Sequence, residues 1–294
     1  MLLVGGGDVA YRTLALLPMS ATVIAVVRQG SQVERLRAAG VRVIIANLDD
    51  PASLDRVSGL ADAVIYSAPP GPVGEADQRL RHALAAISRR MLPRSFVYIS
   101  TSGVYGDHGG AHVHEASLQY TGSARARRRC SAERQLRDWG QRTGVAISIL
   151  RAPGIYAADR LPLARLRAGT PAICASEDSY SNHIHADDLA QACVLSMFRG
   201  RGGRAFNVCD DAPLRMGDYF EAVAHHFGLP PPPRLPRAAV QARVDPMLWS
   251  FMAESRQLCN RRARKELRLR LRYPTVDHFL ATLHEHSAQP SPGR

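Results

Sequence analysis

The chain has 294 residues, 46% of them hydrophobic and 22% charged, a globular composition with room for one large domain or a core plus a lobe, which excludes a disordered or fibrous protein. No apolar run approaches the ~20 residues that span a bilayer, and the N-terminus lacks a basic stretch leading into an apolar core, so a cytoplasmic protein without a membrane partner is expected. The formal net charge of +12 raises nucleic acid or a phosphorylated ligand as partners, but no helix-turn-helix, RRM or zinc-finger pattern accompanies it and no nucleic-acid partner is expected.

Leu2-Leu3-Val4 runs straight into Gly5-Gly6-Gly7-Asp8-Val9-Ala10, a short buried strand turning into a helix. The pattern is G-x-G-x-x-A. Gly5 makes the tight turn, Gly7 lets a pyrophosphate approach the backbone, and Ala10 lets the helix pack on the strand, while the helix start at Asp8 and Val9 turns its N–H groups toward phosphate. Taken alone, the match also fits an ordinary Gly-rich turn, so its weight rests on whether strands and helices alternate beyond it.

The helix continues through Thr13–Leu17 to Pro18, and a β-branched strand comes after it at Ala21–Val27. The residue at the end of that strand chooses the cofactor, because a carboxylate binds a ribose 2′-hydroxyl whereas an arginine accepts a 2′-phosphate. It is Arg28. That favours NADP(H) over NAD(H), the plainer alternative being a solvated strand-end arginine.

A helix at Ser31–Ala39 and a strand at Val41–Ala46 come next, then Asn47 and Leu48, where Asn47 is placed to meet an adenine edge. Asp49 or Asp50 serves as N-cap and Pro51 opens another helix. The strand Ala63–Tyr66 runs into Ser67-Ala68-Pro69-Pro70, with Ala68 and Pro69 on the cofactor path; a helix at Gln78–Arg90 leads to a strand at Phe96–Ser100. Strand and helix alternating with short connections signal an α/β doubly wound parallel sheet, whose ligand sits beyond the carboxyl ends of the strands. Pro230–Pro233 and Pro236 mark a break, after which the chain is helical and basic to about Leu283, with a polar tail at 287–294.

Five cysteines lie far apart without a C-x-x-C pair, which suggests neither zinc nor disulfides. His112 with His114, and His183 with His185, have the spacing of a metal pair on a strand, but no third ligand is evident and no metal site is expected. Only Lys265 among the 38 basic residues is a lysine. Arg125 and Arg129 share one helix face, with Arg128 nearby and Arg127 in solvent, and the cluster Arg256–Arg272 reads as the exposed face of amphipathic helices. Asp187 or Asp188 would cap a helix at Leu189–Phe198.

Tyr98-Ile99-Ser100-Thr101-Ser102-Gly103-Val104-Tyr105-Gly106 resembles the short-chain dehydrogenase/reductase superfamily, in its extended and atypical branch of NAD-dependent epimerases and dehydratases. Leu150-Arg151-Ala152-Pro153-Gly154-Ile155-Tyr156 is similar to the family's L-R-x-x-x-x-Y-G segment, His183–Ala190 to its I-H-V-D-D-L-A, and Phe206-Asn207-Val208 to its Y-N-V strand. Asn260–Leu267 with Tyr273-Pro274-Thr275 is similar to the closing lobe of small atypical members. Together these segments are specific; singly none would be. The resemblance implies an NAD(P)-binding Rossmann core over 1–150, continued by 184–209, with a smaller substrate lobe from 151–183 and 210–286. It also implies cofactor contacts at Pro153 and Gly154, and a possible homodimer through two helices flanking the cleft. Glu115 matches an acidic residue after the V-Y-G turn, bordering the cleft or making a loop salt bridge.

The family's chemistry rests on a Ser or Thr after strand five and a Tyr-x-x-x-Lys on the next long helix. Thr101, with Ser102 beside it, takes the first position. Matching Glu133 to the family's Glu four residues after the Lys puts Arg129 at the Lys position and Arg125 at the Tyr position, and with no lysine before Lys265 the pair is absent in every register. Arginine holds a carboxylate or phosphate well and is a poor proton donor at neutral pH. The implied function is an NADP(H)-binding oxidoreductase, epimerase/dehydratase-like, on a small anionic substrate oriented by Thr101 and held by Arg125 or Arg129. The alternative is a catalytically silent NAD(P)-binding redox sensor or regulatory protein.

Overall fold

The apolar runs assemble into one sheet in a computed structural model that describes residues 1–28 and 30–287; of the expected tail, residues 288–294 lie outside the described residues. Strands β1 (Leu2–Val4), β2 (Ile24–Val27), β3 (Arg42–Ile45), β4 (Ala63–Tyr66), β5 (Ser95–Thr101), β6 (Ala146–Ala152) and β7 (Arg204–Asn207) lie in the order β7-β6-β5-β4-β1-β2-β3. Every neighbouring pair is parallel. The order reverses between β1 and β4, which opens the crevice of a doubly wound sheet at the carboxyl ends of those strands.

Helices cover both faces, which is why β1 and β2 are buried along their whole length and read as unbroken apolar runs. Leu2, Val4, Tyr66, Phe96 and Tyr98 point to one face, with Leu80 and Leu84 of α3 (Gln78–Ile87) and Leu136 and Trp139 of α4 (Ala124–Thr143). Leu3, Ala25, Ile65 and Val97 point to the other, against α1 (Asp8–Thr13), α2 (Ser31–Ala38) and α6 (Ala186–Arg199). Helix α4 is delimited as its sequence dictates. The Ser123 hydroxyl accepts from the Ala126 N–H at 3.1 Å, and Gly144 closes it in the left-handed region at φ 75°.

Several expectations shift locally. The first helix gives way after Thr13 to a 3₁₀ turn at Leu14–Leu16, and Pro51 opens a 3₁₀ rather than an α-helix, capped by the Asp50 carboxylate accepting from the Ala52 N–H. Asp49 caps nothing: Arg79 takes both its oxygens. Helix α6 begins earlier than Leu189 and is capped by His185, whose Nδ1 accepts from the Asp187 N–H at 3.2 Å. Asp188 is drawn away because its two oxygens accept from the Arg272 and Tyr273 N–H groups at 2.7 and 3.0 Å, and Asp187 pairs with Arg12. Arg127, expected in solvent, pairs with Glu75 at 2.8 Å.

A lobe forms around a third apolar cluster, in which Tyr156, Leu166, Phe220, Val223 and Phe279 join α5 (Leu163–Arg167), α7 (Met216–His226) and α11 (Val276–Ser287). It also carries α8 (Arg237–Gln241) and α9 (Pro246–Met252), whereas α10 (Arg261–Glu266) packs its Ala263 into the apolar cluster on the sheet face, beside Phe206 of β7. Gly154–Tyr156 pairs in parallel with His183–His185, and His112–Val113 with Gln257–Leu258. His114 sits in an exposed turn, its Nδ1 accepting from the Ala116 N–H.

Sheet and long helix are joined by a buried ion pair. Arg151 of β6 donates to both oxygens of Glu133 on α4, at 2.7 and 3.1 Å, with side chains 2% and 1% exposed. The Ser100 hydroxyl of β5 donates to the same carboxylate at 2.8 Å. Arg151 also donates to the Tyr105 hydroxyl, which in turn donates to Asn207 of β7 at 2.7 Å. Burial by itself would raise the Glu133 carboxyl, but the hydrogen bond and charge of Arg151, helped by Arg137 and Ser100, hold it below the usual carboxylate range.

Glu133→Gln is expected to lower stability by about 3 kcal/mol, because it leaves a buried guanidinium without its counter-charge. Glu133→Leu combined with Arg151→Met is expected to recover most of that loss in urea titrations, and a double variant no more stable than the single one would contradict the assignment. Since the folded-state pKa of Glu133 is depressed, its contribution is present above the unfolded carboxylate pKa of about 4.3 and lost as the pH falls through the folded value. The acid limb of the stability profile measured by circular dichroism is therefore expected to flatten in the double variant.

Candidate active site

Because the strands are parallel, their carboxyl ends lie along one edge, and most of the sequence-predicted site residues line up there. Gly5 to Val9 leave β1, Arg28 leaves β2, Asn47 and Leu48 follow β3, Ala68 and Pro69 follow β4, and Pro153 and Gly154 follow β6; Thr101 ends β5, with Ser102 next. Each glycine of the first loop has its own constraint. Gly5 has φ +99°, and a Cβ there would lie 2.8 Å from the Ser67 Oγ and 3.0 Å from the Ala68 nitrogen. A Cβ on Gly6 would fall 2.6 Å from a Val27 methyl, so this glycine, a free position in the motif, is required by packing against β2. A Cβ on Gly7 would meet nothing within 4 Å. The loop is thus pressed against β2 and β4 on one side and leaves open space over Gly7 on the other, a cradle that fits a pyrophosphate.

Asp8 at the head of α1 accepts from Arg12 at 2.8 Å, and Arg12 reaches Asp187 of α6 at 2.6 Å, which ties the loop to the lobe-side helix. Asn47 turns its side-chain oxygen back to the Asp49 N–H at 3.1 Å. Arg28 is exposed and, among the described residues, forms no hydrogen bond or ion pair. Arg79 holds the neighbouring Asp49 carboxyl below its usual range, with a smaller contribution from the charge of Arg28.

Between the carboxyl ends of β5 and β6 and the lobe lies a cavity of about 570 Å³. The sheet side contributes Thr101, Ser102, Pro153 and Gly154, α4 contributes Arg125, and the lobe contributes Arg165, His183, Tyr219 and Arg256. The Thr101 Oγ1 accepts from the Gly103 N–H at 3.1 Å, capping the 3₁₀ turn Ser102–Val104, so its own hydroxyl hydrogen is left to donate.

Arg125 and Arg129 part company although they share a face of α4. Arg125 lines the cavity with its guanidinium 4.8 Å from the centre of the Phe251 ring, and among the described residues it has no hydrogen bond or ion pair. Desolvation and the like charge of Arg129 lower its pKa, against a smaller opposing effect of the Glu254 charge. Arg129 points under the sheet end instead, donating to the Tyr98 hydroxyl at 2.8 Å and the Ile99 carbonyl at 3.0 Å. Burial raises the Tyr98 phenol to about 12 despite that cation, so it keeps its proton.

The lobe supplies residues that no spacing in the sequence marks. Arg165 stands 4.0 Å over the Phe220 ring and donates to the Pro171 carbonyl at 2.9 Å and the Met252 sulfur at 3.6 Å, with no carboxylate in ion-pair range among the described residues. Burial without a partner pushes it down to about 10. Arg256, expected on an exposed basic face, turns into the cavity wall, where it donates to the Gly106 carbonyl and to Glu254, both at 2.7 Å. His183 stacks on Tyr219 at 4.2 Å and shares a 3.2 Å hydrogen bond with the Ser181 hydroxyl. Complete burial pushes its imidazole down to about 4, so it is neutral near pH 7. Glu115 is spent on structure, accepting from the Asn207 N–H at 3.0 Å and lying 3.6 Å from Arg262. Among the described residues no cluster of three or more His, Cys, Asp or Glu is arranged to hold a metal ion, and no helix is long and apolar enough to cross a membrane.

Comparison with known proteins places this geometry. A functionally unknown conserved protein from Silicibacter pomeroyi is 30% identical, with 97% of this chain and 98% of that one covered and a TM-score of 0.80. At the level of fold alone, the chain is similar to a nucleoside-diphosphate-sugar epimerase from Pseudomonas aeruginosa (21% identity, 97% and 95% covered, TM-score 0.77). It is likewise similar to a dTDP-glucose 4,6-dehydratase from Streptomyces venezuelae solved with NAD bound (17% identity, 98% and 97% covered, TM-score 0.78). Over 149 residues it is 21% identical to the trifunctional UDP-glucose 4,6-dehydratase/UDP-4-keto-6-deoxy-D-glucose 3,5-epimerase/UDP-4-keto-L-rhamnose-reductase of Arabidopsis thaliana, covering 47% of this chain and 22% of that relative's length. The model of the NAD dependent epimerase/dehydratase family matches residues 6–209. With that match running from the glycine loop to the last strand of the sheet, the chain belongs to the NAD-dependent epimerase/dehydratase family, in the extended branch of the short-chain dehydrogenases/reductases.

Proposed function

We propose that the chain is an NADP(H)-dependent oxidoreductase or epimerase/dehydratase-type enzyme acting on a small anionic substrate bound between the sheet edge and the lobe. The observation that carries this reading is the pairing of Thr101 with an unneutralised Arg125 in one cavity, next to Pro153 and Gly154. The open cradle at Gly7 would hold the pyrophosphate, and Arg28, exposed and unpaired among the described residues, would hold a 2′-phosphate. When bound, the dinucleotide supplies hydride exchange.

The chain's own residues supply orientation and charge. Thr101, with its oxygen engaged by the Gly103 N–H, donates its hydroxyl hydrogen to a substrate oxygen. Arg125 steadies negative charge there. Arg129 acts one step back, fixing the end of β5 through Tyr98 and Ile99. A silent, redox-sensing role is the second reading, favoured by one observation: Arg125 keeps its proton at neutral pH and so cannot do the work of a phenolic acid.

Quenching of Trp139 and Trp249 fluorescence is expected to show NADPH binding about tenfold tighter than NADH, with Arg28→Ala bringing the two together. Equal affinities in the unmodified protein would remove the role given to Arg28. In stopped-flow oxidation of NADPH with carbonyl substrates, Thr101→Ala is expected to slow turnover about a hundredfold. Retained NADPH binding with no turnover of any carbonyl or sugar-nucleotide substrate would favour the silent reading instead.

A further inference from the structure

Among the described residues the cavity carries an excess of positive charge, with Arg125, Arg160, Arg165 and Arg256 in its lining against one carboxylate, Glu254. Several arginines that leave solvent are met by carboxylates, Arg151 by Glu133, Arg234 by Asp178, Asp218 and Glu221, and Arg12 by Asp8 and Asp187, while Arg129 is held by the Tyr98 hydroxyl and the Ile99 carbonyl. Among the described residues, Arg125 and Arg165 have no carboxylate within ion-pair distance, and Glu254, the one carboxylate of the lining, is already paired with Arg256 at 2.7 Å. Holding the half-buried Arg165 guanidinium without a counter-charge is costly unless a ligand completes it, and Arg125, exposed to solvent, adds a second unpaired cation to the lining of the same cavity.

Their geometry says how many anionic groups that ligand has. Both guanidinium planes lie over aromatic rings, Arg125 over Phe251 at 4.8 Å and Arg165 over Phe220 at 4.0 Å, which fixes their orientation while leaving N–H groups at their edges. Adjacent residues of α9 touch the two arginines: Phe251 faces Arg125, and the sulfur of Met252 accepts from Arg165. The two cations are thus both seated against the last turn of α9, and both line the same cavity. Arginine donates and never accepts, so its complement is an acceptor-only group; a sugar hydroxyl, which must also donate, satisfies it less well.

We propose that the ligand of this cavity carries two separate oxyanionic groups, carboxylate or phosphate, one held by Arg125 beside Thr101 and the other by Arg165 beside Phe220. This deepens the proposed anionic-substrate function and rests on it. The reacting end of the molecule would thus lie next to an anion rather than within a neutral hexose.

The test is isothermal titration calorimetry on the NADP⁺-loaded protein, comparing glutarate with butyrate and a sugar bisphosphate with the matching monophosphate. In at least one pair the dianion is expected to bind about tenfold tighter than the monoanion, and Arg125→Met and Arg165→Met are each expected to abolish that advantage. Which pair responds separates carboxylate from phosphate. Dianions and monoanions of equal affinity in both pairs would overturn the proposal, a result that does not depend on whether either variant folds. So would tight binding of UDP-glucose that Arg125→Met leaves unchanged, since there the hexose end is neutral. Titrating NADP⁺ first keeps the two readings apart: if it fails to bind, the cofactor assignment has failed, and the same anion pairs run on the protein alone still decide this proposal.

Discussion

The ion pair of Glu133 with Arg151 is the contact on which the rest of the architecture hangs. It sits where the long helix crosses the sheet, and its two side chains, 1% and 2% exposed, bring together β5 through Ser100, β6 through Arg151 and β7 through Tyr105 and Asn207. A buried pair of this kind adds little net stability over an apolar replacement, but it tolerates the loss of neither partner. Its effect is positional. By setting α4 against the ends of β5 and β6, it decides that the first turn of the helix, with Arg125, meets the same cavity as Thr101.

That placement shows arginine put to two uses in one molecule. Deep in the fold, arginine is a structural residue committed to fixed hydrogen bonds, with a carboxylate for Arg151 and with the Tyr98 hydroxyl and the Ile99 carbonyl for Arg129. At the cavity it is left unneutralised. A surface arginine in that state needs no explanation, since water solvates it. Arg165, whose pKa is pushed down to about 10 by burial, does need one. The unpaired charges lie on both the sheet side and the lobe side of the void, so neither half of the molecule contains the site by itself.

Much of the frame was legible in the chain. Apolar runs such as Ile24–Val27, the tight turn at Gly5, and the Asp50 cap ahead of Pro51 are local features, and local physics places them without knowledge of the rest. Resemblance over short segments located Thr101, Arg125 and the Pro153-Gly154 turn. Local reasoning failed where a distant partner displaced a nearby one. Asp188 is a reasonable helix cap until the N–H groups of Arg272 and Tyr273 arrive from the C-terminal segment. Arg256 is a reasonable exposed cation until the Gly106 carbonyl and Glu254 claim it, and Gly6 is a free position until Val27 packs beside it.

By itself, then, the sequence determined the order of strands and helices, the edge on which a dinucleotide would lie, and the absence of a Tyr-x-x-x-Lys pair before Lys265. Those properties are written in periodicity, glycine positions and residue identity, all of which survive in the unfolded chain. Only the tertiary structure decided which arginines are neutralised and which face the void. Counter-charge is a matter of distance in space: Arg125 and Arg129 are one turn apart on one face of α4, yet one reaches Phe251 across the cavity and the other is bound beneath β5, and no pattern in the chain distinguishes them.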